Sequence, residues 1–502
     1  MTDEKPKTNI GATEFPEIVF GLVAPIGTDL NLLYQKLKKS LSSVEYNCEL
    51  IHLIEHIPTY DKEISSAHDL FEEMKVKITL GTKSRQLTKR SDLLAGIAVR
   101  EIQKIRERKN QSTDDNKKYF IPIPKLAYVI RQFKRREEVV ALRETYGEGL
   151  FVISAYSSYS KRKERLSRLL GKGLATKNTD EKAEELIRID EEEEGKGDFG
   201  QNLRETFPEG DFFVDMDQGE EDIADSIRRF IEIIFGVTKT PTREEYAMFH
   251  AHGTALTSAS LARQVGACIT TSDGDVVADG TNEVPKPKGG LYWDDDDKKL
   301  RDYELGYDIN TKSKKLVFNE IAAALKDEKL IQEEPKEEWW DKIDNKSLLL
   351  DRLELSRTVH AEMAALMTAA RLGIKISGCT LYTTTFPCHN CAKHIVAGGL
   401  KDVVYIEPYP KSFTSVLYPD SITLEQNDPH KIPFRPFIGI SPRRYSTLFL
   451  MNHQTSPMKR KEKDGTAITP SSKSWKWRPR FGVETLTIET KENLLLSSFS
   501  GM

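Results

Sequence analysis

The chain has 502 residues, enough for roughly two or three domains, and 38% of them are hydrophobic, which suffices to bury a core in each. Lysine and arginine number 74 against 78 aspartates and glutamates, so no overall basic field favours binding to a nucleic-acid duplex. The cysteines, 5 in number, do not form a disulfide framework, no apolar run is long enough to cross a bilayer, and the first residues lack a signal-peptide core. We therefore expect a cytoplasmic protein without a membrane contact.

A strand, a glycine-containing turn and a helix open the chain. Residues 17–24 are apolar and rich in β-branched side chains, which predicts a buried parallel strand, and residues 30–41 predict a helix. This frame is typical of a phosphate-binding loop. The candidate nucleotide contacts are Gly21, Gly27, Thr28 and Asp29. The two glycines are one residue too far apart for a Walker A loop, and a threonine–aspartate pair replaces its Lys-Ser/Thr pair, so nucleotide binding and a purely structural unit both stay open.

Strands and helices continue to alternate through the first half of the chain, a pattern typical of a parallel sheet covered on both faces. The predicted strands lie at 125–130, 149–156 and 212–214, and the predicted helices at 91–108, 136–146 and 223–235. The polar stretch 171–198 carries an acidic block and predicts a mobile loop. We expect residues 1–236 to form a degenerate P-loop kinase-like domain with a regulatory or nucleotide-binding role.

Residues 237–502 predict a second α/β domain. Its predicted helices lie at 244–263, 359–372 and 388–399, and its predicted strands at 265–270, 276–278, 379–385 and 402–407. An insertion at about 286–357 is open to three interpretations, as a lid, a subunit contact or an effector site. In the C-terminal extension, basic and aromatic residues alternate at 475–481, which fits either an edge strand or a contact with single-stranded nucleic acid.

A histidine and two cysteines in the second domain have the spacing of a zinc site. A catalytic zinc takes three protein ligands and leaves one position for water, and His360, Cys388 and Cys391 supply one nitrogen and two thiolates. Glu362 lies two residues after the histidine and can carry a proton from the metal-activated water to a leaving amine. A structural zinc knuckle is the alternative, but it would normally require a fourth protein ligand and has no use for Glu362.

Four further residues are candidate substrate contacts. Asn282 ends a predicted strand and offers both a donor and an acceptor, suited to a sugar hydroxyl and a base carbonyl. Tyr409 and Lys411 follow the strand at 402–407, where an aromatic ring could stack on a base and a cation could meet phosphate. Arg263 is the fourth candidate. A turn with exposed side chains would explain Tyr409 and Lys411 equally well, and a turn residue is the alternative for Asn282.

Four segments of this domain together resemble the deoxycytidylate deaminase branch of the zinc-dependent cytidine/deoxycytidylate deaminases. They are Ser-Leu-Ala-Arg-Gln-Val-Gly-Ala at 260–267, Gly-Thr-Asn at 280–282, His-Ala-Glu at 360–362 and Pro-Cys-His-Asn-Cys at 387–391. With the degenerate P-loop domain in front, the long insertion, Gly-Gln at 200–201 and Pro-Arg-Arg-Tyr at 442–445, the chain resembles the bacterial two-domain anti-phage deoxycytidine-nucleotide deaminases along nearly its full length.

The resemblance implies an α/β/α sandwich for the second domain, a zinc ion on His360, Cys388 and Cys391, Glu362 as proton shuttle and Asn282 as sugar contact. It also implies deamination of dCTP and dCMP, which depletes the cytosine nucleotide pool during phage replication. Family members form homo-oligomers, and in some relatives a small RNA restrains the enzyme; a nucleotide effector is a further possibility. Three rival functions stay open. They are a polynucleotide cytidine or adenosine deaminase, an RNA- or nucleotide-sensing module whose output is the deaminase, and a nucleotide kinase in the first domain.

Overall fold

The computed structural model describes most of the chain and divides into two compact units. The described residues are 15–110, 119, 121–171, 178–194, 197–297, 300–331, 336, 339–340, 355–408, 412–424, 428–450, 460–481 and 485–499. The first unit comprises Met1–Glu245 and Ile438–Met502, and the second unit comprises Tyr246–Phe437. None of the helices within those described ranges combines the length and the apolar character that crossing a membrane requires.

The regular elements alternate along the chain. The strands are β1 (Ile18–Val23), β2 (Asn47–His52), β3 (Leu126–Phe133), β4 (Leu150–Tyr156), β5 (Phe212–Asp215), β6 (Gly266–Thr270), β7 (Val276–Thr281), β8 (Thr380–Thr385), β9 (Asp402–Glu407), β10 (Ile422–Thr423), β11 (Ile432–Pro436) and β12 (Gly439–Ile440). The helices of the first half are α1 (Leu30–Ser43), α2 (Tyr60–Ile64), α3 (Leu70–Thr88), α4 (Leu93–Lys109), α5 (Arg136–Tyr146), α6 (Tyr159–Gly171), α7 (Thr179–Glu194), α8 (Leu203–Thr206) and α9 (Glu220–Ile234). Those of the second half are α10 (Arg243–Ala255), α11 (Asp302–Leu305), α12 (Ile309–Asp327), α13 (Ala361–Leu372), α14 (His389–Ala397), α15 (Thr414–Leu417), α16 (Pro442–Phe449) and α17 (Thr485–Ser497).

The first unit is built on a sheet of strand order β12-β5-β4-β1-β3-β2. Its pairings are parallel except that β12 runs antiparallel to β5. Every residue of β1 is buried, as expected for a parallel strand covered on both faces. Gly21 lies inside this strand, and a Cβ there would collide with the Phe133 ring of β3, so the glycine serves the packing of the sheet.

The second unit is a three-layer sandwich around a sheet of order β10-β11-β9-β8-β6-β7. Strand β6 is antiparallel to both neighbours, and the other pairings are parallel. A Cβ on Gly266 would collide with Ala251 of α10, whereas a Cβ on Gly280 would collide with Ala365 of α13. Because Gly280 pairs with Ala267, the neighbour of Gly266, the two glycines face opposite sides of the sheet. The α/β class predicted for both parts of the chain is therefore confirmed, and the sandwich predicted for the second is present.

The acidic stretch predicted as a mobile loop contains a helix, so that prediction is wrong for α7. Ala183, Leu186 and Ile187 recur at helical spacing and are buried against α3 and α6. The acidic composition suggested a solvated segment, but an apolar stripe one face wide is enough to fix a helix on its neighbours. Residues 172–177 and 195–196 of the same stretch lie outside the described residues.

The C-terminal extension departs from the predicted domain division. We expected it to belong with residues 237–437, yet from Ile438 onward the chain belongs to the first unit. Strand β12 pairs with β5, Ser441 N donates to Asp211 O at 3.0 Å, and Arg106 donates to Glu492 of α17 at 2.9 Å. These long-range pairings leave no trace in local sequence pattern. The described segment 475–481 forms no strand.

Candidate metal centre

Two helix starts place the predicted metal ligands. His360 is the N-cap residue of α13 and Cys388 is the N-cap residue of α14, and neither side chain caps its own helix. The residue before the histidine is fixed by a bridge in which Val359 N donates to Glu283 O at 3.1 Å. Cys391 lies in the first turn of α14 and is 1% exposed. The positions of the ligand atoms are thus set by the first turns of α13 and α14 and by the bridge between Val359 and Glu283.

The three predicted ligands converge. Nδ1 of His360 lies 3.4 Å from Sγ of Cys388 and 3.5 Å from Sγ of Cys391. All three ligand atoms lie within 4.8 Å of one another. Ordinary Zn–N and Zn–S bonds in a tetrahedral site separate nitrogen and sulfur ligands by roughly 3.6 Å. The donor set and its spacing therefore fit Zn²⁺.

Glu362 lies beside this group in a buried position. It is 4% exposed in the first turn of α13, and its Oε2 accepts a hydrogen bond from Sγ of Cys391 at 3.4 Å. Burial, and next the charge of Cys388, raise the pKa of this carboxyl above its ordinary value. A carboxyl that can hold a proton closer to neutral pH is suited to general acid–base chemistry.

Cys388 is poised to act as a thiolate. The hydrogen bond from the Cys391 thiol, followed by the hydrogen bond and charge of His360, lowers the pKa of Cys388 to about 4 against the opposing effect of burial. The same hydrogen bond and burial raise the pKa of Cys391. Because a metal binds the thiolate rather than the thiol, Cys388 is ready for a metal at neutral pH.

Asn282 directly follows β7, and Arg263 lies in the segment that precedes β6. Oδ1 of Asn282 accepts from Val265 N at 2.7 Å, and its Nδ2 donates to Arg263 O at 2.8 Å, so the amide ties the end of β7 to the segment before β6. The Arg263 side chain is 44% exposed, and its Nη1 lies 3.0 Å from Oε2 of Glu407. Thr385 donates to the same oxygen at 3.1 Å. Both proposed substrate roles stay predictions. Tyr409 and Lys411 lie outside the described residues.

Sequence reasoning missed Glu283, which organises two segments of the site. It is 2% exposed; Oε2 accepts from Ala259 N and Oε1 from Val284 N, each at 2.8 Å. Its carbonyl also receives the Val359 N–H that fixes the approach to His360. An acid directly after the Gly-Thr-Asn segment was the available signal, but the Ala259 N–H that its carboxylate binds lies 24 residues earlier in the chain.

The structure separates the four predicted nucleotide contacts. Gly21 is inside β1 and does not reach the loop, whereas Gly27 adopts a φ of 86° in the turn that follows. Thr28 is buried. Asp29 caps α1, with its Oδ1 accepting from a backbone N–H of the first turn at 2.9 Å, and it pairs with Arg165. The helix end that would meet a phosphate thus already holds a carboxylate, and nucleotide binding by any of the four residues stays a prediction.

A comparison with known families supports the interpretation of the metal centre. Residues 241–407 match the family model for the cytidine and deoxycytidylate deaminase zinc-binding region, and the four residues of the motif fall within that match. The chain therefore contains a region similar to the zinc-binding region of the cytidine and deoxycytidylate deaminases.

Individual relatives match over short stretches. The deoxycytidylate deaminase of Enterobacteria phage T2 is 48% identical over 54 residues, which is 11% of this chain and 29% of that protein. ComE operon protein 2 of Bacillus subtilis (strain 168) is 38% identical over 66 residues, 13% of this chain and 34% of that protein. The Homo sapiens deoxycytidylate deaminase is 40% identical over 47 residues, 9% and 25% of the respective chains. The chain thus spans at most 34% of the length of these relatives.

Solved structures overlap with parts of the chain at low scores. The apo dCMP deaminase from cyanophage S-TIM5 is 18% identical, with a TM-score of 0.22, and covers 40% of this chain and 100% of its own. A gluconokinase from Sinorhizobium meliloti 1021 is 14% identical, with a TM-score of 0.24, and covers 43% of this chain and 92% of its own. Overlaps at these scores carry no argument about fold or activity.

Proposed function

We propose that the chain is a zinc-dependent hydrolase that removes the C4 amino group of cytosine in free deoxycytidine nucleotides, dCMP or dCTP. The observation that carries the proposal is the convergence of His360, Cys388 and Cys391 beside the buried carboxyl of Glu362. The deaminase zinc-binding region matched at 241–407 and the deoxycytidylate deaminases among the relatives support a nucleotide substrate.

In this proposal Glu362 does the proton chemistry. Zn²⁺, when held by His360, Cys388 and Cys391, supplies Lewis acidity that makes a water molecule nucleophilic near neutral pH. Glu362 takes the proton of the attacking water and delivers it to the departing amine, a role worth about 10²–10⁴ in rate. Its burial supports this role, because a proton held on Oε2 is shielded from exchange with bulk solvent.

Arg263 and Asn282 are proposed to position the nucleotide. Glu407 holds the Arg263 guanidinium at one end while the side chain stays 44% exposed, which leaves donors for a phosphate. The Asn282 amide holds the backbone of that loop through Arg263 O and Val265 N, and the second lone pair of its oxygen can still accept from a sugar hydroxyl. Tyr409 and Lys411 remain proposed contacts for the base and the phosphate.

The wider role follows from the resemblance along the chain. We propose that deamination lowers the dCTP pool of an infected bacterial cell, as an anti-phage defence carried out in the cytoplasm by a homo-oligomer. The first unit would regulate the second through a small RNA or a nucleotide effector. The division of the chain into two compact units supports a separate regulatory part, which includes the C-terminal extension.

Substrate turnover tests the proposal. Purified zinc-loaded protein is given dCMP, dCTP, deoxycytidine and single-stranded DNA in parallel, and ammonia release and the product mass are measured, with Glu362→Gln as the inactive control. We expect conversion of dCMP or dCTP to the uracil nucleotide by the wild-type chain alone. Conversion of single-stranded DNA without conversion of nucleotides would instead establish a polynucleotide deaminase, and equal turnover by Glu362→Gln would contradict the mechanism.

A further inference from the structure

Contacts at alternate residues hold the segment that leads to His360. The three contacts join Leu355 N to Oδ1 of Asn310 at 3.1 Å, Nη1 of Arg357 to Oδ1 of Asp302 at 3.8 Å, and Val359 N to Glu283 O at 3.1 Å. The backbone conformation of residues 355–359 is therefore set by partners from other parts of the second unit. Because the histidine follows this segment directly, its position depends on those partners.

Two of the three acceptors belong to the insertion. Asp302 is the first residue of α11 and Asn310 lies in the first turn of α12, whereas Glu283 belongs to the loop after β7. Asn310 and the residue that it binds are 45 positions apart in the chain. The insertion thus folds back onto the approach to the metal centre, a placement that its sequence did not indicate.

Asp302 makes the buried contact of this set. Its side chain is 8% exposed, and no donor in the described ranges lies within hydrogen-bond distance of its Oδ1. A buried carboxylate is costly unless a cation compensates its charge, and the guanidinium of Arg357 is the cation that faces it. The attraction between the two charges therefore holds residue 357 against α11.

Arg301 fixes the helix that carries this carboxylate. A helix of four residues is too short to be stable by itself. Arg301 N donates to Oε2 of Glu304 at 2.9 Å, and its Nη2 donates to Oδ1 of Asp294 at 3.2 Å. The hydrogen bond and charge of Glu304 raise the pKa of Arg301 against the opposing effect of burial, and the charge of Glu283 adds to the rise. Helix α11 is thus a fixed support rather than a mobile turn.

We propose that Asp302 is a positioning residue of the metal centre, through which the insertion sets the position of His360. It acts through Arg357 and is not itself a ligand. Residues that orient a metal ligand change the metal affinity although they do not bind the metal. Cys388 and Cys391 belong to α14, so their thiolates should keep their positions when Asp302 is changed. This inference rests on the proposed function, because it takes the histidine as a zinc ligand.

Metal affinity and the spectrum of the cobalt form test this role in the full chain. We expect Asp302→Asn to weaken Zn²⁺ binding about tenfold, measured by competition with a chelator. Co²⁺ binds the same nitrogen and thiolate donors, and its visible d–d bands report the ligand geometry. Those bands should shift in Asp302→Asn, whereas the thiolate-to-cobalt charge-transfer bands should stay in place.

Variants on the opposite side of the ion pair supply an independent arm. Arg357→Gln should reproduce both changes, and Arg357→Lys, which keeps the cation, should retain the wild-type affinity and spectrum. This arm also serves if Asp302→Asn fails to fold, because the Arg357 side chain is 37% exposed. The matched control is Asp296→Asn, which neutralises a carboxylate of the insertion that pairs with Lys286 at 2.8 Å, and it should behave as the wild type does.

Three outcomes would overturn the proposal. The first is an Asp302→Asn variant with the zinc affinity and cobalt spectrum of Asp296→Asn, and the second is equal behaviour of Arg357→Gln and Arg357→Lys. The third is a lower zinc affinity with unchanged d–d bands, which would indicate a general loss of stability. None of these readouts depends on turnover, so a chain that binds cobalt but deaminates no nucleotide would count against the proposed function alone.

Discussion

The two units use the start of a helix in opposite ways. In the first unit, Asp29 caps α1, and its carboxylate satisfies a backbone N–H of its own helix at 2.9 Å. In the second unit, His360 and Cys388 occupy the same position on α13 and α14, yet neither side chain caps its helix. Their ligand atoms instead face each other at 3.4 Å. In the first unit the cap side chain therefore binds its own helix, whereas in the second unit the cap side chains belong to a group of candidate metal ligands.

The start of a helix alone therefore does not define a function. Every helix start offers unsatisfied N–H groups and the positive end of a dipole. An aspartate at the cap uses them internally, whereas a cysteine or histidine gives up capping energy and directs its ligand atom away from the helix. The function of a helix start thus depends on its cap residue and on the side chains that other elements place near it.

The largest expected effect follows from removing a ligand in the second unit. Cys388→Ala leaves one nitrogen and one sulfur, too few to hold a catalytic zinc, so we expect bound zinc and turnover to be lost together. Zinc content by mass spectrometry and product formation measure the two. Cys379→Ala, which removes a buried thiol outside the ligand group, is the matched control and should keep its zinc. A zinc content unchanged in Cys388→Ala would contradict the ligand assignment.

A smaller and more selective effect is expected at Glu362. Glu362→Gln keeps the size of the side chain but removes its capacity to carry a proton, so we expect zinc to stay bound while kcat falls about 10²–10⁴-fold. Zinc content and steady-state kinetics on dCMP and dCTP check this split. Loss of zinc along with activity would show that Glu362 helps to hold the metal rather than to move protons.

The convergence of the candidate ligands was predictable because its geometry is local. His360 and Glu362 are two residues apart at one helix start, and Cys388 and Cys391 are one turn apart at another, so spacing fixes most of their arrangement. Strand β9 and helix α5 were also predicted at the bounds that the structure has, since periodicity is a local property.

What the sequence did not disclose depends on distant partners. The sequence around Gly21 does not indicate that the Phe133 ring of β3 occupies the space beside it. The sequence around Glu283 does not indicate that its carboxylate binds the backbone of the loop at Ala259. The acidic composition near Asp190 indicated neither helix α7 nor the hydrogen bond that the Asp190 carboxylate accepts from Ile26 N in another loop. The C-terminal extension joined the first unit through pairings such as that of β12 with β5. Local patterns cannot report such contacts, because they specify one partner only.

The smallest expected effect tests the closed helix start of the first unit. Asp29→Ala removes the cap of α1, and loss of an N-cap costs about 1 kcal/mol of stability. The half-buried pair with Arg165 should add little, since partly exposed ion pairs contribute ~0–1 kcal/mol. Denaturant unfolding of the first unit measures the loss, and zinc content should not change. Asp225→Ala, which removes an exposed helical aspartate paired with Arg228, is the control and should shift stability by no more than about 0.5 kcal/mol. Equal stability of the two variants would mean that Asp29 does not act as a cap, and its carboxylate would again become a candidate for ligand contact.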